Sequence, residues 1–282
     1  MYNKPYFIKI PGIVRIGIVL DRKDGEALMT GGLVLGSNLR ADLYHDGKWQ
    51  GFRELGSGLV TNVGVLALAN DAFWPTAGPI NTLKVANFHV SGTGNGAGSA
   101  TAAAATDIKL QTLGAAGGQT AATGAQSLIS AANVQKYRTV GTQTFTGTET
   151  GGVTEWGLMT SATITATTGS PFTAGAATTG TSTGAALTAS SASVRGHTQF
   201  IVENTGNATP HWGLVTSNDT SIFTVPAWYK VSDGTAAGVT PANTNAYTIR
   251  PVMFDHKTFT VINVAVNDQV TYTYDLTINS GG

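Results

Sequence analysis

The chain has no cysteine in its 282 residues, which excludes disulfide staples and thiolate metal sites. Charge is scarce: Asp, Glu, Lys and Arg make up 11%, against about 25% in an average soluble domain. The 16 basic and 16 acidic residues cancel to a formal net charge of zero. Counterion release on nucleic acid needs a clustered basic surface; the sequence has none, so no nucleic-acid partner is expected. It also lacks an apolar window of about 20 residues that could cross a bilayer as a helix, and no membrane association is expected. The most apolar early stretch, Ile13 to Leu20, is broken by Arg15 and Gly17 and reads as a strand rather than a leader. So little charge leaves a solitary protein with weak colloidal repulsion. A chain packed against neighbours escapes that weakness, so the composition points to an assembly protein, folded in a reducing cytoplasm.

Hydrophobic residues make up 41% of the chain, enough to build a core at this length. Residues 1–58 read as short strands: Tyr6–Ile10, Val14–Leu20, Ala27–Leu35, Leu39–Tyr44 and Trp49–Phe52. Asp24-Gly25 and Asp46-Gly47 are the expected hairpin turns, because both residue types tolerate positive φ. These strands are polar and are expected to form an N-terminal anchoring arm or small β subdomain. Residues 59–80 supply a short helix and a linker. Val63, Leu66, Ala67 and Asn70 recur at helical spacing over Thr61–Phe73, with Thr61 or Asn62 as N-cap and Trp74-Pro75 as a stop; Gly64 weakens the pattern.

Residues 81–282 are expected to form the body. Runs rich in Val, Ile, Thr and aromatics mark strands at Asn81–Val90, Tyr137–Phe145, Val153–Met159, Phe200–Val202, Trp212–Thr216, Ser221–Val225, Ala246–Phe254, Phe259–Val264 and Gln269–Ile278. In the last, Val270, Tyr272, Tyr274, Leu276 and Ile278 share one face and Thr271, Thr273, Asp275 and Thr277 the other, after an Asn267-Asp268 turn. Such alternation buries one face and leaves the other to water or a partner. Small-residue runs at 91–105, 114–125 and 165–193 read either as flexible linker or as tight turns and close strand packing, and ordered segments are the expectation. Trp156-Gly157-Leu158-Met159-Thr160-Ser161 is echoed by Trp212-Gly213-Leu214-Val215-Thr216-Ser217, suggesting two equivalent strands. The fold class is mainly β: a β-sandwich or jelly-roll-like body, a β-rich N-terminal arm and one short helix.

Catalysis needs converging polar groups, and the sequence offers few. His45, His89, His197, His211 and His256 have no metal-ligand spacing, and each reads as a surface, turn or satisfied interior residue. Asp255-His256-Lys257 joins acid, base and amine, but strand neighbours face opposite ways, so a turn is expected there. The Gly92–Gly98 run lacks the register, the Lys-Ser/Thr pair and the following helix of a phosphate loop. Asp21, Asp24 and Glu26 are interrupted by Arg22 and Lys23 and do not match a calcium loop. No catalytic, metal or cofactor-binding residue is assigned, and no enzyme activity is expected. The aromatics Trp212, Trp228 and Tyr229, with Trp156, are candidates for a subunit interface or for stacking on a glycan, beside the plainer role of core filling.

Three segments together resemble virion proteins of tailed bacteriophages. They are Asn87-Phe88-His89-Val90-Ser91-Gly92-Thr93-Gly94 leading to Thr106-Asp107-Ile108-Lys109-Leu110; Val153-Thr154-Glu155-Trp156-Gly157-Leu158; and Met253–Phe259 with Ile262-Asn263-Val264, Asn267-Asp268 and Tyr272-Thr273-Tyr274. The order is similar to that of head-associated and tail-fibre-like proteins, over about residues 81–282, with a long insertion at roughly 165–250. The resemblance implies a virion structural protein assembled in a bacterial cytoplasm. A capsid decoration (cement) or head-fibre subunit is the first expectation, with partners in a symmetric self-association, a trimer, and the major capsid protein. A tail-fibre or tail-tip adhesin for a host surface glycan is the alternative.

Overall fold

The computed structural model of the chain describes residues 13–16, 33–73, 85–94, 100–131, 134–162, 167–168, 174–175, 179–181, 200–206, 208–218, 222–237, 242 and 245–280. In chain order, β1 (Ile13–Ile16), β2 (Leu33–His45), β3 (Lys48–Gly56) and β4 (Leu59–Val60) precede α1 (Asn62–Phe73). Then come β5 (Phe88–Gly92), β6 (Ala122–Thr123), β7 (Ala125–Ala131), β8 (Val134–Thr144) and β9 (Val153–Met159). A third group holds β10 (Thr167–Thr168), β11 (Ala174–Gly175), β12 (Thr179–Thr181), β13 (Phe200–Asn204) and β14 (His211–Leu214). The last are β15 (Ser217–Asn218), β16 (Ile222–Thr224), β17 (Tyr229–Lys230), β18 (Tyr247–Pro251), β19 (Met253–Ile262) and β20 (Gln269–Ser280). The protein is mainly β, with antiparallel sheets and, among the described residues, one short helix.

The first sheet runs β1-β2-β20-β8-β7, with β3 also on β2, and the second runs β4-β19-β9-β5-β6. They share one core: Leu39, Ala41, Tyr272, Tyr274 and Leu276 of the first meet Trp156, Leu158, Phe254 and Ile262 of the second. The alternation of β20 is realised, with Val270, Tyr272, Tyr274 and Leu276 fully buried and Thr271, Thr273, Asp275 and Thr277 half-buried on the outer face. Asn267, at φ 68°, makes the turn before it. The chain passes between the sheets at Gly124, where a Cβ would lie 1.9 Å from Thr139 Oγ1 and 2.9 Å from Asn87 O. Only glycine fits that corner.

Residues 33–56, assigned above to an N-terminal arm, lie within this sheet: β2 pairs with β20 from Leu33↔Ser280 to Tyr44↔Gln269. The expected strands Ala27–Leu35 and Leu39–Tyr44 are one strand from Leu33 onward. The β2–β3 hairpin turns at Asp46 and Gly47, both at positive φ, as the Asp-Gly pair demands. The Asp24-Gly25 turn and the candidate calcium residues Asp21, Asp24 and Glu26 lie outside the described residues.

The helix starts at its expected cap, with Gly64 N–H donating to Thr61 Oγ1 at 3.0 Å. Gly64 is a contact point rather than a flaw in the helix: its Cβ would lie 2.4 Å from the Phe254 carbonyl oxygen of β19. On another side, Val63 and Ala67 pack with Ile108, Ile201, Trp212, Leu214 and Val252.

Every strand of the two remaining sheets falls between Thr167 and Pro251, the stretch set apart above as an insertion. The third sheet runs β10-β18-β13-β14-β17 and the fourth β11-β12-β16-β15. The third sheet is buried on both faces: Ile201, Trp212 and Leu214 face the helix, while Val202, Tyr247 and Ile249 meet Phe223, Val225 and Trp228.

Candidate functional site

The expected turn at Asp255-His256-Lys257 is corrected by the structure: β19 continues through it, and the break falls at Val252, between β18 and β19. Asp255 and His256 are both fully buried, and β19 hides them on opposite faces, each against partners of its own. A buried polar group left unpaired costs about 1–3 kcal/mol, so those partners decide whether such residues can sit mid-strand.

On the face towards the first sheet, the Asp255 carboxylate accepts the Tyr274 hydroxyl at 2.9 Å. Burial nevertheless pushes its carboxyl up to about 6. Beside it, Trp156 Nε1–H donates to His89 Nδ1 at 3.2 Å. His89 therefore carries its proton on Nε2, which faces Thr139 Oγ1 at 3.2 Å. Burial pulls this imidazole down to about 3, so it is neutral. Its ring stacks with Tyr272 at 6.1 Å, and a Cβ on Gly124 or Gly141 would collide with it. Ser91 Oγ joins the Tyr272 hydroxyl at 2.7 Å and also bonds Gln143 Oε1. Gln143 then donates to the Gly118 and Thr120 carbonyls at 2.9 Å each.

On the other face, His256 lies between two carboxylates. Its Nδ1 is 2.7 Å from Asp107 Oδ2 and its Nε2 is 3.1 Å from Glu155 Oε2. Burial alone would lower this imidazole, but the hydrogen bonds and charges of Asp107 and Glu155 outweigh it and push it up to about 9. The ring is a buried imidazolium with both N–H groups donated. Glu155 also accepts the backbone N–H groups of Gly94 (3.1 Å), Thr112 (2.9 Å) and Gln111 (3.0 Å).

Six residues before it, Glu149 takes the N–H groups of Ala115 (2.8 Å), Ala116 (2.8 Å) and Gly118 (3.0 Å). Two buried carboxylates thus pin the uncharged 111–118 loop to the body. Backbone N–H clusters of this kind are anion nests, and here the chain fills them with its own side chains. Gly94, in the glycine run that superficially matched a phosphate loop, spends its N–H on Glu155. Sequence reasoning missed both carboxylates; the available signal was two isolated glutamates following a long glycine- and alanine-rich segment.

The other candidates are scattered. His211 is buried, with Nε2 3.2 Å from Asn204 Nδ2, whereas His45 lies at the surface, 2.5 Å from Asp268. His197 lies outside the described residues. Among the described residues no cluster of His, Cys, Asp and Glu is arranged to hold a metal.

Trp212 and Trp228 are both buried, on opposite faces of the third sheet. Trp212 stacks on Tyr229 at 4.9 Å, while Trp228 meets the His211 ring edge-on at 5.3 Å. The indoles do not converge on a surface, and both fill core. The hexapeptide echo has a structural counterpart. Trp156 with Leu158, and Trp212 with Leu214, each face a core, and the glycine between them admits close packing on the opposite face. Each threonine then directs its N–H and its hydroxyl to one carbonyl, Val252 for Thr160 and Thr224 for Thr216.

Large aromatic side chains at the surface occur instead on β3, at Trp49 and Phe52. Their polar neighbours are already engaged: Asp42 accepts a bidentate pair from Arg40 at 2.9 and 2.7 Å and the Trp49 N–H at 3.3 Å, and the Arg40 guanidinium lies 4.0 Å over the Phe52 ring.

At the far side of the first sheet, β7 pairs with β8 along its whole length and is the sheet's last strand among the described residues. Its residues Ala125–Ile129 are all exposed, Leu128 by 70%. No known protein family, curated protein or solved structure matches the chain.

Proposed function

We propose that the chain is a non-enzymatic structural subunit of a tailed-phage particle, a capsid decoration or head-fibre protein whose body is a β-sandwich. The observation that carries the assembly part is the surface. Among the described residues, a chain with 11% charged residues and no net charge ends its largest sheet in an uncharged strand, AQSLISA, whose residues Ala125–Ile129 are exposed. Natural proteins protect such edges with charge, bulges or cover, and a subunit that pairs its edge has no need to. The phage part rests on the segments quoted above, Asn87–Gly94, Val153–Leu158 and Met253–Phe259.

The interior supports the same reading. His89, Ser91, Glu155, Asp255 and His256 are each fully buried. His256 bonds Glu155 and Asp107, Glu155 bonds the backbone, and the others bond Trp156, Tyr272 and Tyr274 across the core. These side-chain and backbone bonds join two sheets and a long loop, as suits a shell component under mechanical load. Locating the chain in a reconstruction of the intact particle tests the proposal. Repeating density for this fold on the shell or its fibres is expected; its absence from purified particles would overturn the reading.

A further inference from the structure

The geometry points to β7 as a two-fold interface, at which the strands of two copies pair antiparallel and join their first sheets into one. The inference rests on the assembly reading and names its surface. In an antiparallel strand of seven residues paired along its full length with its own copy, the centre falls on Leu128. Leu128 then opposes Leu128, Ser127 opposes Ile129, Gln126 opposes Ser130 and Ala125 opposes Ala131.

No pair in this register sets like charges together, because β7 carries none. A partner strand chosen by charge would find nothing on β7 to recognise, whereas a second copy matches it residue for residue. The contact is isologous, the self-complementary kind that closes. Its two-fold axis stands perpendicular to the sheet, so the core-side faces of both copies point the same way. Leu128 pairs with Tyr137 in the register with β8 and so lies on that face, yet it is 70% exposed. Pairing sets a second leucine against it and covers that exposed surface.

The opposite edge of the sheet differs. That edge is shared along β2 by β1 and β3; β1 carries Arg15, β3 carries Lys48, Arg53 and Glu54, and the pairing of β3 with β2 is broken by two register shifts. Charge and bulges are the features that keep an edge from pairing. Among the described residues the sheet is thus guarded by charge and bulges on one side and ends in an exposed, uncharged strand on the other. This interface makes the basic association a dimer, in place of the trimer expected from the resemblance.

The absence of cysteine provides the test. Antiparallel cross-strand neighbours lie about 4.5–5.5 Å apart at Cα, within disulfide range. The full-length Leu128→Cys variant, gently oxidised, is expected to form a covalent dimer. Ser127→Cys and Ile129→Cys are expected to link when mixed and far less when oxidised separately. Trp49→Cys on the guarded edge is the control and stays monomeric on a denaturing gel. Circular dichroism on each variant verifies the fold, which these exposed positions leave intact.

If Leu128→Cys stays unlinked while native protein self-associates in the ultracentrifuge, the β7 interface is wrong and the assembly reading stands. Linking through Trp49→Cys alone also overturns the β7 interface. If native protein is monomeric and Leu128→Cys stays unlinked, both fail.

Discussion

His256 Nδ1 lies 2.7 Å from Asp107 Oδ2, joining the middle of a buried strand to a loop 149 residues earlier in the chain. With Glu155 on its other nitrogen, this imidazolium bridges two carboxylates, one fully buried and one half-buried. Removing one partner of a buried ion pair leaves uncompensated charge and costs about 3–5 kcal/mol. His256→Ala is expected to lose about that much in chemical denaturation. Asp107→Ala should lose less, because the Asp107 side chain keeps 27% exposure and that of His256 none. Equal losses would show that the bridge is not the source of the effect.

The same residue sets an alkaline limit. The folded state holds the His256 proton up to about 9, above its ordinary 6.5, so folding binds that proton more tightly. The resulting stability is complete below pH 6.5 and is lost as pH rises through about 9. Melting temperature is expected to fall across this window, and His256→Gln to flatten the slope while lowering the plateau. An unchanged slope in the variant would assign the limit to another group.

Gly64→Ala opposes helix propensity to packing. Alanine gains about 1 kcal/mol in a helix interior, but its Cβ would lie 2.4 Å from the Phe254 carbonyl oxygen and 2.9 Å from the Phe254 Cα. Those atoms belong to the backbone of a buried strand and do not yield cheaply, and overpacking costs about 1–3 kcal/mol. Packing wins. The variant is expected to be destabilised by up to about 2 kcal/mol in urea unfolding; a stabilised variant would mean that the helix stands off β19.

Trp228→Ala is a core truncation, with an expected loss of about 3–5 kcal/mol. Trp49→Ala, at a side chain 56% exposed, is expected to stay within about 0.5 kcal/mol. Thermal melts of the two variants distinguish interior from surface indole directly.

Much of this architecture was legible locally. The β20 alternation, the Asp46-Gly47 turn and the Thr61 cap are patterns of a few residues whose physics is complete within the window. Asp255-His256 was misread for the opposite reason. Two ionisable neighbours look like a turn until their partners are known, and Tyr274, Asp107 and Glu155 lie 19, 149 and 101 residues away. The carboxylate nests around Glu149 and Glu155 were hidden likewise, because backbone N–H groups leave no mark in a sequence. The aromatics followed composition rather than place: Trp212 and Trp228 fill core, while Trp49 and Phe52, in a charged hairpin, reach the surface.

We propose that this protein works by self-association. Sedimentation equilibrium of the intact 29.0 kDa chain, at increasing concentration, tests it most directly. The mass is expected to rise to a whole-number multiple of the chain; a monomer mass up to the limit of solubility would overturn self-association.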